Sequence, residues 1–193
     1  MQSVKFDSKT TALIAIDLQH GIVGRTLAPH SAADVVERTK RVADALRAKG
    51  GTIVFVHVEI REVLRLPVDA PMVSDPNAAP PPANASQLVP EIGLQEGDLV
   101  VKKRQWGAFY GTDLEQWLRR KGIRTILMTG IATNFGVEST ARAAFDRGYE
   151  LIFVEDAISS MTAEMHEFPV KTVFPRMGRV RSTAEVLAEL AGH

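Results

Sequence analysis

A carboxylate, an ammonium and a helix N-terminus can share one reaction, and this sequence offers one of each where strand-like runs give way to loops. Asp17 closes an apolar run in Ala15-Ile-Asp-Leu-Gln19. Lys103 lies just past another, in VVKKRQWGAF, and the segment Gly130-Ile-Ala-Thr-Asn-Phe-Gly136 joins a strand to a helix. Together they would supply an acid or base, a charge stabiliser and an anion hole. Singly, each has a plainer reading: a turn-holding aspartate, a solvated run Lys102-Lys103-Arg104, an ordinary connection. The glycine segment is not a phosphate loop, since Gly136 is followed by Val137-Glu138 rather than Lys-Ser or Lys-Thr. Ser139 and Thr140 lack a His-Asp partnership to activate a hydroxyl, so they read as small polar residues in the first turns of a helix. Trp106, Phe109 and Tyr110 can line a pocket and stack on a ring, or equally sit in a core or an interface.

For these residues to converge, their strands must end on one edge of one sheet. Strand-length apolar runs alternate with helical periodicity, the pattern of βαβ units around a parallel sheet. Strands are expected at Thr11–Asp17, Thr52–Val58, Leu99–Lys102, Thr125–Thr129, Glu150–Glu155 and Arg179–Val180. Helices are expected at Ser31–Lys49, Thr112–Lys121, Asn134–Arg147, Ala163–Val173 and Ser182–Leu190. The sum is a three-layer α/β/α sandwich, in which ligands bind outside the carboxyl ends of the strands. From Arg61 to Gly97 seven prolines (67, 71, 76, 80, 81, 82 and 90) interrupt any period. That stretch reads as an ordered excursion over the sheet's edge, a lid or an oligomer contact.

Bulk properties narrow the chemistry. The 193 residues suit one domain spanning 1–193, and 45% hydrophobic with 24% charged residues is an ordinary balance for a soluble protein. Formal net charge is zero. Nucleic acid or an acidic membrane therefore meets no basic excess, and neither is an expected partner. Near-neutrality makes self-association a mild expectation. There is no cysteine, which removes disulfides and every thiolate mechanism. With no signal peptide in Met1–Thr11, the expected location is cytoplasmic.

The motifs DLQ after the first strand, K-x-x-x-G-A-F-x-G-T from Lys103 to Thr112, and TGIATNFGVESTARAAFDRGY with the later EDA at 155–157 resemble isochorismatase-like hydrolases. That family also contains nicotinamidases and N-carbamoylsarcosine amidase. The resemblance runs from about Lys5 to Leu190 and is closest to bacterial members of unassigned activity. It implies a six-stranded, mainly parallel sheet in the order 3-2-1-4-5-6 and a homo-oligomer, dimer or tetramer. It makes Asp17 the catalytic aspartate and Lys103 the catalytic lysine, and places a cis peptide at Ile131–Ala132. Gly136 stands where the amidase branch has its nucleophilic cysteine, which excludes a thioester route. Gln19, Trp106, Phe109, Ile131, Ala132, Phe135 and Val137 are the residues it suggests around a small-molecule substrate. No cofactor is expected. Nor is a metal: His57-Val-Glu59 lacks the D-x-H pattern of nicotinamidases, and His20, His30, His166 and His193 are scattered in the sequence.

True isochorismatases can carry glycine at that position because they cleave a vinyl ether rather than an amide. The expected function is hydrolysis of a small anionic enol ether, with protonated Asp17 as general acid. Lys103 and the N–H groups from Phe135 to Val137 would hold the substrate carboxylate. Two alternatives stand beside it: a homologue that binds but no longer catalyses, and a hydrolase of another small cyclic substrate using water activated by Asp17. The electrostatics are opposed, since the Lys103 ammonium favours ionised Asp17 whereas burial favours the protonated acid.

Overall fold

A computed structural model describes residues 5–71 and 79–192. The core is a six-stranded sheet with the strand order β3-β2-β1-β4-β5-β6, and every pairing in it is parallel. The strands are β1 (Thr11–Ile16), β2 (Thr52–Val58), β3 (Leu99–Lys103), β4 (Thr125–Ile131), β5 (Glu150–Ser159) and β6 (Gly178–Arg181). β1 and β4 are buried at every position, as their continuous apolar runs require of strands covered on both faces.

Helices pack both sides. α2 (Ala32–Ala48) and α6 (Thr183–Ala191) cover one face of the sheet, over Leu13, Phe55, Leu127 and Ile152. α3 (Leu114–Arg120) and α4 (Glu138–Asp146) cover the other, over Ile14, Val54, Ile126 and Met128. α2 buries Val35, Val36, Thr39, Val42, Ala43 and Leu46, the stripe that a 3.6-residue period produces. Ser31 caps it by accepting the Asp34 N–H.

Two expected helices break for identifiable reasons. The stretch read as one helix from Asn134 begins instead with a π turn, Thr133–Val137, and only then continues as α4. In that turn the Val137 N–H reaches back to the Ala132 carbonyl, one residue further than an α-helix allows. The stretch from Ala163 forms α5 (Ala163–Phe168) and gives way at Pro169 to a second π turn, because proline lacks the N–H that would continue the ladder. A short helix, α1 (His20–Val23), stands where no element was expected.

Of the proline-rich stretch, residues 72–78 lie outside the described residues. Residues 85–89 run beside the exit of β1. There the His20 N–H donates to Gln87 O, Gly21 N–H to Ala85 O and Val89 N–H to Leu18 O. This docking places the excursion on the edge where the central strands end. Among the described residues no helix is long and apolar enough to cross a membrane.

Candidate active site

Strand parity buries the lysine. β3 turns Val101 and Lys103 inward while Val100 and Lys102 face out, since alternate side chains share a face. The register pairs Lys103 with Val58 and Ile16 with both Val56 and Gly130, so the ends of β1, β3 and β4 reach the same edge. Asp17 follows β1 immediately and is the only non-glycine with positive φ (55°) among the described residues. Aspartate tolerates this left-handed backbone better than most residues, at a cost of about 1–3 kcal/mol. The turn aims its carboxylate at Lys103, with Nζ 2.8 Å from Asp17 Oδ2. Lys103 Nζ also donates to the Trp106 carbonyl at 2.6 Å.

Both charges are withdrawn from water, Lys103 being 1% and Asp17 7% exposed. The second carboxylate oxygen, Asp17 Oδ1, is buried without a hydrogen-bond partner. The nearby Val58 N–H exerts a small downward pull on the Asp17 pKa, but it is committed to Gln19 Oε1 at 2.8 Å. Burial dominates and raises the Asp17 pKa to about 6, against the opposing charge and hydrogen bond of Lys103. Of the two opposed effects, burial is the larger and the shift is upward.

Gly136 lies directly against this pair. A Cβ there would stand 2.9 Å from Ile16 Cγ2, 3.0 Å from Lys103 Nζ and 3.1 Å from Asp17 Oδ2. Its backbone is not left-handed, so room rather than conformational freedom requires glycine. The space a side chain would take is closely bordered by Ile16 and by the ion pair itself. Thr140 Oγ fixes the turn, donating to Gly136 O at 2.7 Å and accepting the Ala108 N–H at 3.1 Å.

The other expected site residues separate into two groups. Trp106 and Phe135 do come together, their ring centroids 4.9 Å apart, with Trp106 52% exposed above the lysine its own carbonyl holds. The Ile131–Ala132 peptide is cis, as the resemblance implied. Ile131 and Val137 point their side chains into the two cores. Of the N–H groups expected to form an anion hole, those of Phe135 and Val137 both bond to the Ala132 carbonyl. Gln19 is fully buried. Its amide donates to Val58 O and Ala85 O and accepts from Val58 N–H, tying the excursion to β2. Phe109 is a core residue: its ring lies near Tyr149, beneath the Arg147 guanidinium, on the α4 side. Tyr110 is largely exposed.

One cluster escaped the sequence reading. His30 and His166, scattered in the chain, converge on Glu155, each with Nε2 3.2 Å from Oε1. The only sequence hint is that Glu155 opens the EDA motif. The cluster adjoins the site turn, since Thr133 Oγ meets His166 Nδ1 at 2.9 Å.

Comparison with known proteins agrees with this architecture. Residues 11–185 match the isochorismatase domain model. The isochorismatase family protein YwoC of Bacillus subtilis is 45% identical over 193 residues, covering 98% of this chain and 99% of that protein. YecD of Escherichia coli is 45% identical over 191 residues, covering 97% and 100%. The solved structure of an isochorismatase family protein from Burkholderia thailandensis superposes with a TM-score of 0.87 at 42% identity, covering 98% of each chain. A family match across most of the chain, near-complete coverage of the relatives, and a buried Asp–Lys pair under a cysteine-free turn lead to one assignment: this chain belongs to the isochorismatase family.

Proposed function

We propose that this chain is a hydrolase of a small anionic enol ether, isochorismate being the test case, with Asp17 as general acid. The observation that carries the reading is the asymmetry of the Asp17 carboxyl. Oδ2 is held by Lys103, while Oδ1 is buried and unpartnered on a group whose pKa is raised to about 6. A carboxylic acid whose pKa is raised toward neutrality and which has one oxygen uncommitted is suited to proton delivery.

In the proposed reaction the Asp17 proton passes to the terminal vinyl carbon, and the double-bond electrons form the new C–H bond. Water adds to the resulting oxocarbenium carbon and gives a proton back to Asp17. The hemiketal then collapses to pyruvate and an alcohol. Lys103 counters the carboxylate that Asp17 becomes after transfer, and the Trp106–Phe135 pair offers an apolar wall to a ring. With the Phe135 and Val137 N–H groups engaged elsewhere, the lysine is the cation available to an anionic substrate at the turn.

The same pKa favours a second reading. Above about pH 6 Asp17 is mostly ionised and could activate water as a base toward another small cyclic substrate. Pyruvate release from isochorismate, followed through lactate dehydrogenase, tests the first reading directly. The expected result is turnover that falls roughly 100- to 10,000-fold in Asp17→Asn. Pyruvate release that survives this substitution removes Asp17 from the mechanism, and no release by the wild-type protein removes the enol-ether substrate.

A further inference from the structure

His30, Glu155 and His166 come from three separate parts of the chain: the approach to α2, the strand β5 and the helix α5. Their ligand atoms all lie within 4.8 Å of one another, and the two imidazoles meet edge to face with centroids 5.6 Å apart. His166 is fully buried, and the other two are partly exposed.

The spacing is informative. Both Nε2–Oε1 separations are 3.2 Å, the long end of an ordinary N–H···O hydrogen bond, and the same distance fits two ligands of one ion. With ligand atoms ~2.0 Å from a central zinc-like ion, a tetrahedron has edges of about 3.3 Å. Both histidines direct Nε2 at the same oxygen. The outer nitrogen of His166 meets Thr133 Oγ at 2.9 Å, the kind of partner that fixes the ring of a metal-bound histidine. Arg38 approaches the outer nitrogen of His30 at 3.3 Å but makes its shorter bond, 2.7 Å, to Asp156 O. A metal on Nε2 would put the ring proton on Nδ1 and so displace this longer contact, leaving the bond to Asp156 O in place.

We propose that His30, Glu155 and His166 form a binding site for a divalent transition metal of the zinc type. Two imidazoles and one carboxylate suit zinc or cobalt, whereas magnesium and calcium select all-oxygen sets. Three protein ligands leave a fourth position for water on the exposed flank of Glu155. The ion would brace β5 and α5 against Thr133, the first residue of the turn that carries Gly136. This site is separate from the Asp17–Lys103 pair and does not rest on the proposed reaction.

The test uses the tag-free full chain, stripped with a chelator and titrated with cobalt(II), then zinc(II). One equivalent of cobalt is expected to give the intense visible bands of a tetrahedral site, and zinc is expected to bleach them. Zinc should also raise the melting temperature of the wild-type protein. Glu155→Gln and His30→Gln, both at partly exposed positions, should lose the bands and weaken binding by roughly tenfold or more, with far-UV dichroism verifying that they fold. Only a weak octahedral cobalt spectrum in the wild-type protein, or tetrahedral bands that persist in both folded variants, overturns the proposal.

Discussion

At the scale of single residues, Asp17 combines a left-handed backbone, a buried carboxyl and a lysine partner, and each has a measurable consequence. Its pKa is about 6 in the folded protein against 3.8 for the free side chain. Between those values the folded state binds more protons than the unfolded state, so stability falls as pH rises from about 4 to 6. The loss amounts to about 3 kcal/mol at most. Denaturant unfolding at a series of pH values should show this slope in the wild-type protein and a flatter one in Asp17→Asn. Removing the partner instead, as in Lys103→Met, strands a buried carboxylate. That variant should lose roughly 3–5 kcal/mol at pH 8 and distinctly less at pH 5, where Asp17 is protonated. At Gly136 a methyl group has nowhere to go without moving Ile16 or the ion pair. Gly136→Ala is therefore expected to cost about 1–3 kcal/mol by overpacking and to reduce turnover, read by thermal melting alongside the pyruvate assay.

At the scale of elements, Gln19 links three of them, binding both backbone groups of Val58 and the carbonyl of Ala85. Gln19→Leu leaves these buried groups unmet, at about 1–3 kcal/mol for each that finds no water. It should release the excursion, so limited proteolysis is expected to cut near residues 79–94 before the remainder of the chain. Unchanged cleavage would leave Gln19 without this tethering role. The contrast between Gln19 and Asp17 shows what the sequence could convey. Asp17, Lys103 and Gly136 were legible because strand ends in a parallel sheet share one edge, and the unbroken apolar runs marked those strands. The sheet order followed from the family resemblance. Gln19 and Phe109 sat in the right motifs, but which way their side chains turn depends on Val58, Ala85, Tyr149 and Arg147, partners remote in sequence. Glu155 and His30 are 125 residues apart, a pairing that no local pattern encodes. The π turn at Thr133–Val137 was hidden for a different reason, since its sequence reads as an ordinary helix start.

At the scale of the whole molecule, the sheet brings an acid, a cation and two aromatic rings to one edge, with residues 85–89 of the excursion bonded beside them. A chain with zero formal charge is expected to self-associate, and light scattering coupled to size exclusion should find a dimer or tetramer; a monomer at working concentrations would contradict that expectation. The central claim concerns a proton rather than a contact, and one profile tests it most directly: kcat/KM for pyruvate release from isochorismate against pH. With protonated Asp17 as the acid, kcat/KM is highest below pH 6 and falls as pH rises through the Asp17 pKa of about 6, approaching tenfold per pH unit. A rate that instead climbs through pH 6 to a plateau would show that the ionised carboxylate is the active form and would contradict the general-acid account.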